Sequence, residues 1–304
     1  MSDAHYADLI FALPFQGADG ATSCDDLSPY RHIVSFVGDA AIDTDYDFFG
    51  ASSLKLPGST GELQIAGGNE LALLSGDFTL EWRVKTSATN SYACHIARPS
   101  ASGFTSGAWA VLMNPGSANG RIQVWAADYS TVSPLLSMSS GSVADGSPHA
   151  VRWERSGSTH RLLVDGSVVA SATWSGSISS TPTRPIYIGN DPNFASRRLA
   201  GYIGEARLTR VARDGGAYTP ATSSFAGLLS GNVKDASGAN CARTVIAVPR
   251  VGGLTKSTTS DSGTGNYSIG PVYDTPHLVA ALDDDAGTDF NDLILGRVSP
   301  VLYT

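Results

Sequence analysis

A chain of 304 residues with 42% hydrophobic content has room for roughly two domains. Its charged share is only 16%, against about a quarter in average domains, and its 33 glycines point to many short strands joined by turns. The formal net charge of −8 argues against nucleic acid and anionic membrane surfaces, which require basic patches, and no apolar run approaches the ~18 residues of a bilayer span, so no membrane insertion is expected.

In chain order, "MSDAHYADLIFALPFQG" lacks a basic start, carries Asp3 and Asp8, and has too short an apolar run to read as a signal peptide. "NELALLSG" (69–76) can make one short helical turn. "FTLEWRVKT" (78–86) alternates Phe78, Leu80, Trp82 and Val84 with Thr79, Glu81, Arg83 and Lys85, the period of a half-buried strand. "RIQVWAADY" (121–129) and "HAVRWERSG" (149–157) follow as strands. In "HRLLVDGSVVAS" (160–171) two β-rich runs flank Asp165-Gly166, the signature of a type I′ hairpin. "PIYIGN" (185–190) is another strand. "LAGYIGEARLTRVAR" (199–213) has helix-forming content, but Gly201 and Gly204 weaken a helix, and it is expected to be a strand. On it Glu205 and Arg207 stand two apart as a same-face ion pair, as do Glu81 and Arg83.

"GGAYTPATSSFAG" (215–227) has no periodicity and reads as a linker or strap. After it, "LLSGNVKDASGANCARTVIAVPR" (228–250), with a turn at Ser237-Gly238, "NYSIGPV" (266–272) and "HLVAALDDD" (277–285) supply a second set of strands. The expected domains are a jelly roll over 1–215, a linker over 216–227 and a small β-sandwich over 228–304. The fold class is all-β, an antiparallel jelly-roll sandwich plus a small C-terminal one. The odd set Cys24, Cys94 and Cys241 has no metal-type spacing and reads as free thiols packed as small hydrophobes.

Several stretches resemble the concanavalin A-like, laminin-G-type jelly roll: "FGASSLKLPG" (49–58), "DFTLEWRVK" (77–85), "HRLLVDGSVVASAT" (160–173), "IYIGN" (186–190) and "GYIGEARLTRVAR" (201–213). The resemblance implies that fold over roughly residues 8–213. It says little of function, because the fold hosts lectins, glycosidases and adhesion modules. Gly204 stands where the family often has an aspartate that helps hold a structural calcium. The tail is similar to transthyretin-like or carboxypeptidase-regulatory-like sandwiches, on "GNVKDASGANCARTVIAV" (231–248) and "STTSDSGTGNYSI" (257–269). With "ALPFQGADGATSCDDLSP" (12–29), "VAALDDDAGTDFNDLILGRVSP" (279–300) looks like what tailed-bacteriophage virion proteins carry. A virion protein, made in the host cytoplasm and released by lysis, also reconciles an extracellular type of module with the lack of a signal peptide and disulfide framework. An extracellular mature chain is the alternative.

No E-x-D-x-E carboxylate pattern suits glycoside hydrolysis, and no G-x-S-x-G elbow suits a serine nucleophile, so no enzyme is expected. His149 and His160 read as structural histidines. The acidic run 282–292 is dense enough in oxygen ligands for calcium, through Asp283, Asp284, Asp285, Asp289 and Asp292. Its spacing is not that of an EF-hand, and an acidic turn is the alternative. No cofactor is otherwise required. For a glycan, the usable groups are aromatic platforms with nearby amides and carboxylates: Trp109, Trp125, Asp128, Tyr129, Asn190 and Phe194. The leading expectation is a bacteriophage structural protein whose partners are other virion proteins, copies of itself and host surface glycans. A free, calcium-assisted carbohydrate-binding or adhesion module is the runner-up, and a glycosidase is third.

Overall fold

The structure is a computed structural model describing residues 3–50, 52–90, 92–101, 103–113, 120–179, 184–194, 196–235, 237–282 and 293–304. Among these residues the regular structure is strands plus two 3-10 turns, Tyr6–Asp8 and Asn69–Leu71. The second is the short turn expected in "NELALLSG". It stops early, and Leu74, at φ +53°, then bridges Ile178 instead.

The chain forms two compact units, one of residues 8–26 and 32–221, the other of residues 1–7, 27–31 and 222–304. The first unit holds β1 (Leu9–Leu13), β2 (Val34–Val37), β3 (Ala41–Asp43), β4 (Ser53–Pro57), β5 (Glu62–Ile65), β6 (Phe78–Lys85), β7 (Cys94–Arg98), β8 (Trp109–Met113), β9 (Ile122–Ala126), β10 (Leu136–Ser137), β11 (Pro148–Ser156), β12 (Thr159–Val164), β13 (Ser167–Thr173), β14 (Ile186–Ile188) and β15 (Ala200–Thr209). One sheet runs β13-β12-β11-β6-β15-β4-β3, with β1 also on β15; the other runs β10-β9-β8-β7-β14-β5-β2. All pairings are antiparallel, and the inward residues of both sheets, such as Leu80, Trp82 and Trp153 from one and Val111, Ile122 and Val124 from the other, form one core. The all-β antiparallel sandwich is therefore the architecture. The β12–β13 hairpin turns at Asp165 (φ +50°) and Gly166 (φ +81°), two successive left-handed residues as a type I′ turn demands.

β15 is a strand, as its glycines suggested, but it carries a bulge. Gly204 pairs with Arg83 and Ala206 with Trp82, leaving Glu205 between them at φ +26°. A bulge resets the period-two alternation. Ile203, Ala206 and Leu208 enter the core, and Arg207 stands opposite Glu81. The expected Glu81–Arg83 ion pair is thus corrected: Arg207 bonds Glu81, and Arg83 bonds the Ala221 carbonyl and lies over the Phe49 ring.

The second unit holds β16 (Ala226–Asn232), β17 (Thr244–Pro249), β18 (Lys256–Thr259), β19 (Asn266–Tyr273), β20 (His277–Ala281), β21 (Leu293–Val298) and β22 (Val301–Leu302), in sheets β19-β16-β22 and β18-β17-β20-β21. Its own core is built on Leu229, Val245, Ala247, Ile269, Val272 and Val279. Between β16 and β17, Asp235 Oδ1 accepts from Ser237 and Ala239 N–H and from the Ser237 hydroxyl, which makes the turn that ends at Gly238 (φ +83°).

The unit boundaries differ from the expected ones. Residues 1–7 and 27–31 group with the C-terminal strands, residues 216–221 with the jelly roll, and Ala226 already begins β16. Residues 211–221 are a strap, because the sheet offers them partners: Tyr218 N–H donates to the Gly166 carbonyl (3.0 Å), Asp214 N–H to Glu154 (3.2 Å), and the Tyr218 ring covers the Arg152 guanidinium at 3.5 Å. The three cysteines are free thiols; Cys94 is buried, whereas Cys24 and Cys241 are only half-buried.

Candidate ligand-binding site

On β9 the alternation sends Ile122, Val124 and Ala126 into the core and leaves Gln123 and Trp125 on the outer face of the seven-stranded sheet. Trp125 stands across from Ala110 of β8, which stands across from Ala97 of β7, so the indole overlooks two short side chains. Trp125 and Phe104, edge to face at 6.4 Å, close over Cys94, Ala97, Ala110 and Leu112. Trp125 Nε1–H donates to Gln123 Oε1 (3.0 Å), and Gln123 Nε2–H donates to Ser137 Oγ of β10 (3.1 Å). The ladder fixes the half-buried indole in orientation while part of the ring stays accessible.

The turn after β9 carries a second aromatic pair. Tyr129 is 41% exposed and meets Trp174 edge to face at 5.6 Å. Behind Trp174, the buried His160 ring lies 5.6 Å away at 34°, and its Nδ1 faces Trp153 Nε1 at 3.4 Å. Burial, helped by the Arg155 charge, pulls His160 down to about 4, so at neutral pH the imidazole can accept the indole N–H. Both rings of the pair therefore stand on a rigid aromatic column.

The other expected glycan residues have structural work. Trp109 is 1% exposed, packed against Trp153 in the core, and so is removed from any surface. Asp128 has both oxygens engaged: Oδ1 accepts from Ser106 Oγ (2.6 Å), and Oδ2 from the N–H groups of Gly107 and Ser179 (both 2.8 Å). It clamps the loops beside both aromatic pairs. Asn190 is 2% exposed and donates to Glu62. Phe194 lies under the Arg197 guanidinium at 3.5 Å, which in turn bonds Asp191 (2.8 Å). Arg197 O accepts from Cys94 N–H at one end of β7, while Asn193 Nδ2 donates to the Ser100 carbonyl just beyond the other. Of the six residues, the accessible rings are Trp125 and Tyr129, with Phe194 partly covered. Phe104 and Trp174 were missed. The readable signal for Phe104 was a lone aromatic in the Gly- and Ser-rich "SGFTSG" (102–107).

The carboxylates on the sheets are engaged structurally. Burial would raise Glu81, but the guanidiniums of Arg207, Arg152 and Arg213 outweigh it and hold the carboxyl near 2, far too acidic for a general acid. Among the described residues no three His, Cys, Asp or Glu side chains converge to hold a metal. The expected calcium ligands Asp283, Asp284, Asp285, Asp289 and Asp292 lie outside the described residues.

The laminin-G-type family model described as the Concanavalin A-like lectin/glucanases superfamily matches residues 57–215. No curated protein matches the sequence. Domain 4 of an extracellular arabinanase from Geobacillus stearothermophilus, solved with arabinotriose, is 13% identical with a TM-score of 0.50, over 68% of this chain and 94% of that one. The binding domain of Paraclostridial Mosquitocidal Protein 1 is 10% identical with a TM-score of 0.52, over 97% and 73%. The binding domain of botulinum neurotoxin serotype D/C is 11% identical with a TM-score of 0.51, over 92% and 73%. At these identities the likeness is one of fold.

Proposed function

The chain belongs to the concanavalin A-like lectin/glucanase superfamily, and on that premise we propose that it is a non-catalytic glycan-binding module. The observation that carries the reading is the Trp125–Phe104 platform, held by the Gln123–Ser137 ladder on the outer face of the seven-stranded sheet. An indole offers a flat apolar surface for the C–H face of a pyranose, and neighbouring amides and hydroxyls can take its hydroxyl groups. Tyr129 and Trp174 are the second contact. The arabinanase domain solved with a trisaccharide and the two toxin binding domains support a binding role. An oxygen-rich run at Asp283–Asp292 leaves room for calcium assistance.

A glycan array probed with the full chain, with and without chelator, tests this. Binding is expected, and Trp125→Ala should weaken it at least ~10-fold, the loss typical of an anchoring aromatic. Loss on chelation would add calcium to the mechanism. Absence of binding under both conditions removes the reading.

A second reading, a capsid- or tail-associated bacteriophage protein, is favoured by the virion-like phrases at 12–29 and 279–300. Repetition on a particle would make weak sugar contacts effective through avidity, and particle symmetry would impose arrays of this chain beside other virion proteins. Immunogold labelling of purified particles decides it; unlabelled particles exclude it.

A further inference from the structure

The C-terminal unit carries a cleft of about 280 Å³ whose lining includes Asp3, Thr275, Pro276, Arg250 and Arg297. Neither arginine's guanidinium has a hydrogen-bond or ion-pair partner among the described residues. That contrasts with the jelly roll, where Arg152, Arg207 and Arg213 gather on Glu81.

The backbone places both side chains. β20 and β21 pair His277 with Val298 and Val279 with Leu295, so Gly296 and Arg297 together oppose Leu278. This bulge holds Arg297 at φ +63°, a conformation uncommon for a residue with a side chain. Bulges re-aim side chains, and strained residues of this kind gather at ligand sites. A β-carbon on Gly296 would stand 3.6 Å from Arg250 Nη1, so the Arg250 guanidinium rests beside the same bulge. Arg250 is anchored by its N–H on the Pro276 carbonyl (3.0 Å). Asp3 also lines the cleft, where its Oδ1 accepts from His5 N–H and its Oδ2 from the Tyr273 hydroxyl, and its single negative charge is outnumbered by the two guanidiniums. Among the described lining residues two guanidiniums meet one carboxylate, and a bound oxyanion would balance the excess positive charge through charge-assisted forked bonds.

We propose that this cleft binds an oxyanion, the carboxylate or sulfate group of a small acidic ligand, gripped by Arg250 and Arg297. The site is independent of the Trp125 platform. Titration calorimetry on the full chain at low salt, with sodium sulfate, glucuronate and a sulfated disaccharide as separate probes, tests it. Saturable one-to-one binding of at least one probe is expected. Arg250→Ala and Arg297→Ala should each weaken it roughly tenfold, the loss of one charge-assisted bond. Arg250→Lys and Arg297→Lys keep the charges but lose the forks, and should retain intermediate affinity. Circular dichroism checks that each variant is folded, and the lysine pair serves if an alanine variant is not. Tighter binding of glucuronate than of the sulfates assigns a carboxylate ligand, and the reverse order a sulfate. Sodium sulfate has no pyranose face for an indole to stack on, so the sulfate arm separates failure of this proposal from failure of the glycan reading. Absence of binding by all three probes, or binding that survives the double alanine variant, overturns the proposal.

Discussion

Gly204 lies on the outer face of β15 against the Phe48 ring, and any β-carbon there would overlap that ring. The place where relatives often keep a carboxylate is thus closed by an aromatic. Gly204→Asp is expected to cost about 1–3 kcal/mol, as overpacking does, and to gain no calcium-dependent rise in Tm; adding Phe48→Ala should recover part of the loss. A calcium-stabilised Gly204→Asp would refute this. Glu81 is the opposite kind of residue, a largely buried carboxylate beside three guanidiniums. Glu81→Gln removes the carboxylate that these three guanidiniums share and should cost about 3 kcal/mol in denaturant titrations at pH 7. Its folded pKa is depressed to about 2, so its contribution is present above the unfolded value of about 4.3 and is lost as pH falls through 2. The difference between parent and variant should shrink below about pH 4; a difference constant down to pH 2 would show that charge is not the cause.

Among the elements, the β12–β13 hairpin is fastened at its tip. Asp165 Oδ1 accepts the Ala150 N–H (2.9 Å), His149 Nδ1 meets Asp165 Oδ2 (2.7 Å) and His149 Nε2 meets Asp145 Oδ1 (3.0 Å). Neutral imidazole has a single N–H, so donating to two carboxylates requires the cation. Burial lowers the His149 pKa, but the bonds to Asp165 and Asp145 and their charges outweigh it and raise the value. The fastening is therefore complete below the unfolded value of about 6.5 and is lost as pH rises through the raised folded value. NMR titration of His149 should give a pKa above about 6.5, with faster amide exchange at Ala150 beyond it; a pKa at or below that of a free histidine would sink the idea. Gly166 belongs to the same junction, since a β-carbon there would overlap the Tyr218 carbonyl of the strap.

At the scale of the molecule, two buried neutral imidazoles shape the acid response. Burial holds His95 near 3, and burial with the Arg155 charge holds His160 near 4, whereas both titrate near 6.5 when unfolded. Below about pH 6.5 the unfolded chain binds protons that the folded jelly roll refuses, so its stability should fall steadily toward about pH 4. Denaturant midpoints between pH 7 and 4 check this, and a flat profile would contradict it. The His149 window lies above this range and the Glu81 window below it, which puts the stability maximum near neutral pH. What the sequence determined by itself was local. Period-two alternation in 78–85, the Asp165-Gly166 turn and the two glycines of β15 specified strands, a hairpin and the sandwich class, because backbone pleat and turn geometry depend on neighbouring residues. It also marked Trp125 and Tyr129, but it could not separate them from Trp109, since alternation names two faces without saying which one a distant sheet will cover. The tertiary structure decided that. It set Trp109 against Trp153, supplied Phe104 and Trp174 from loops, and gave Glu81 the side chain of Arg152, 71 residues away, in place of Arg83. Such partners are chosen by strand order and by one-residue bulges, and both arise only when segments remote in the chain pack together.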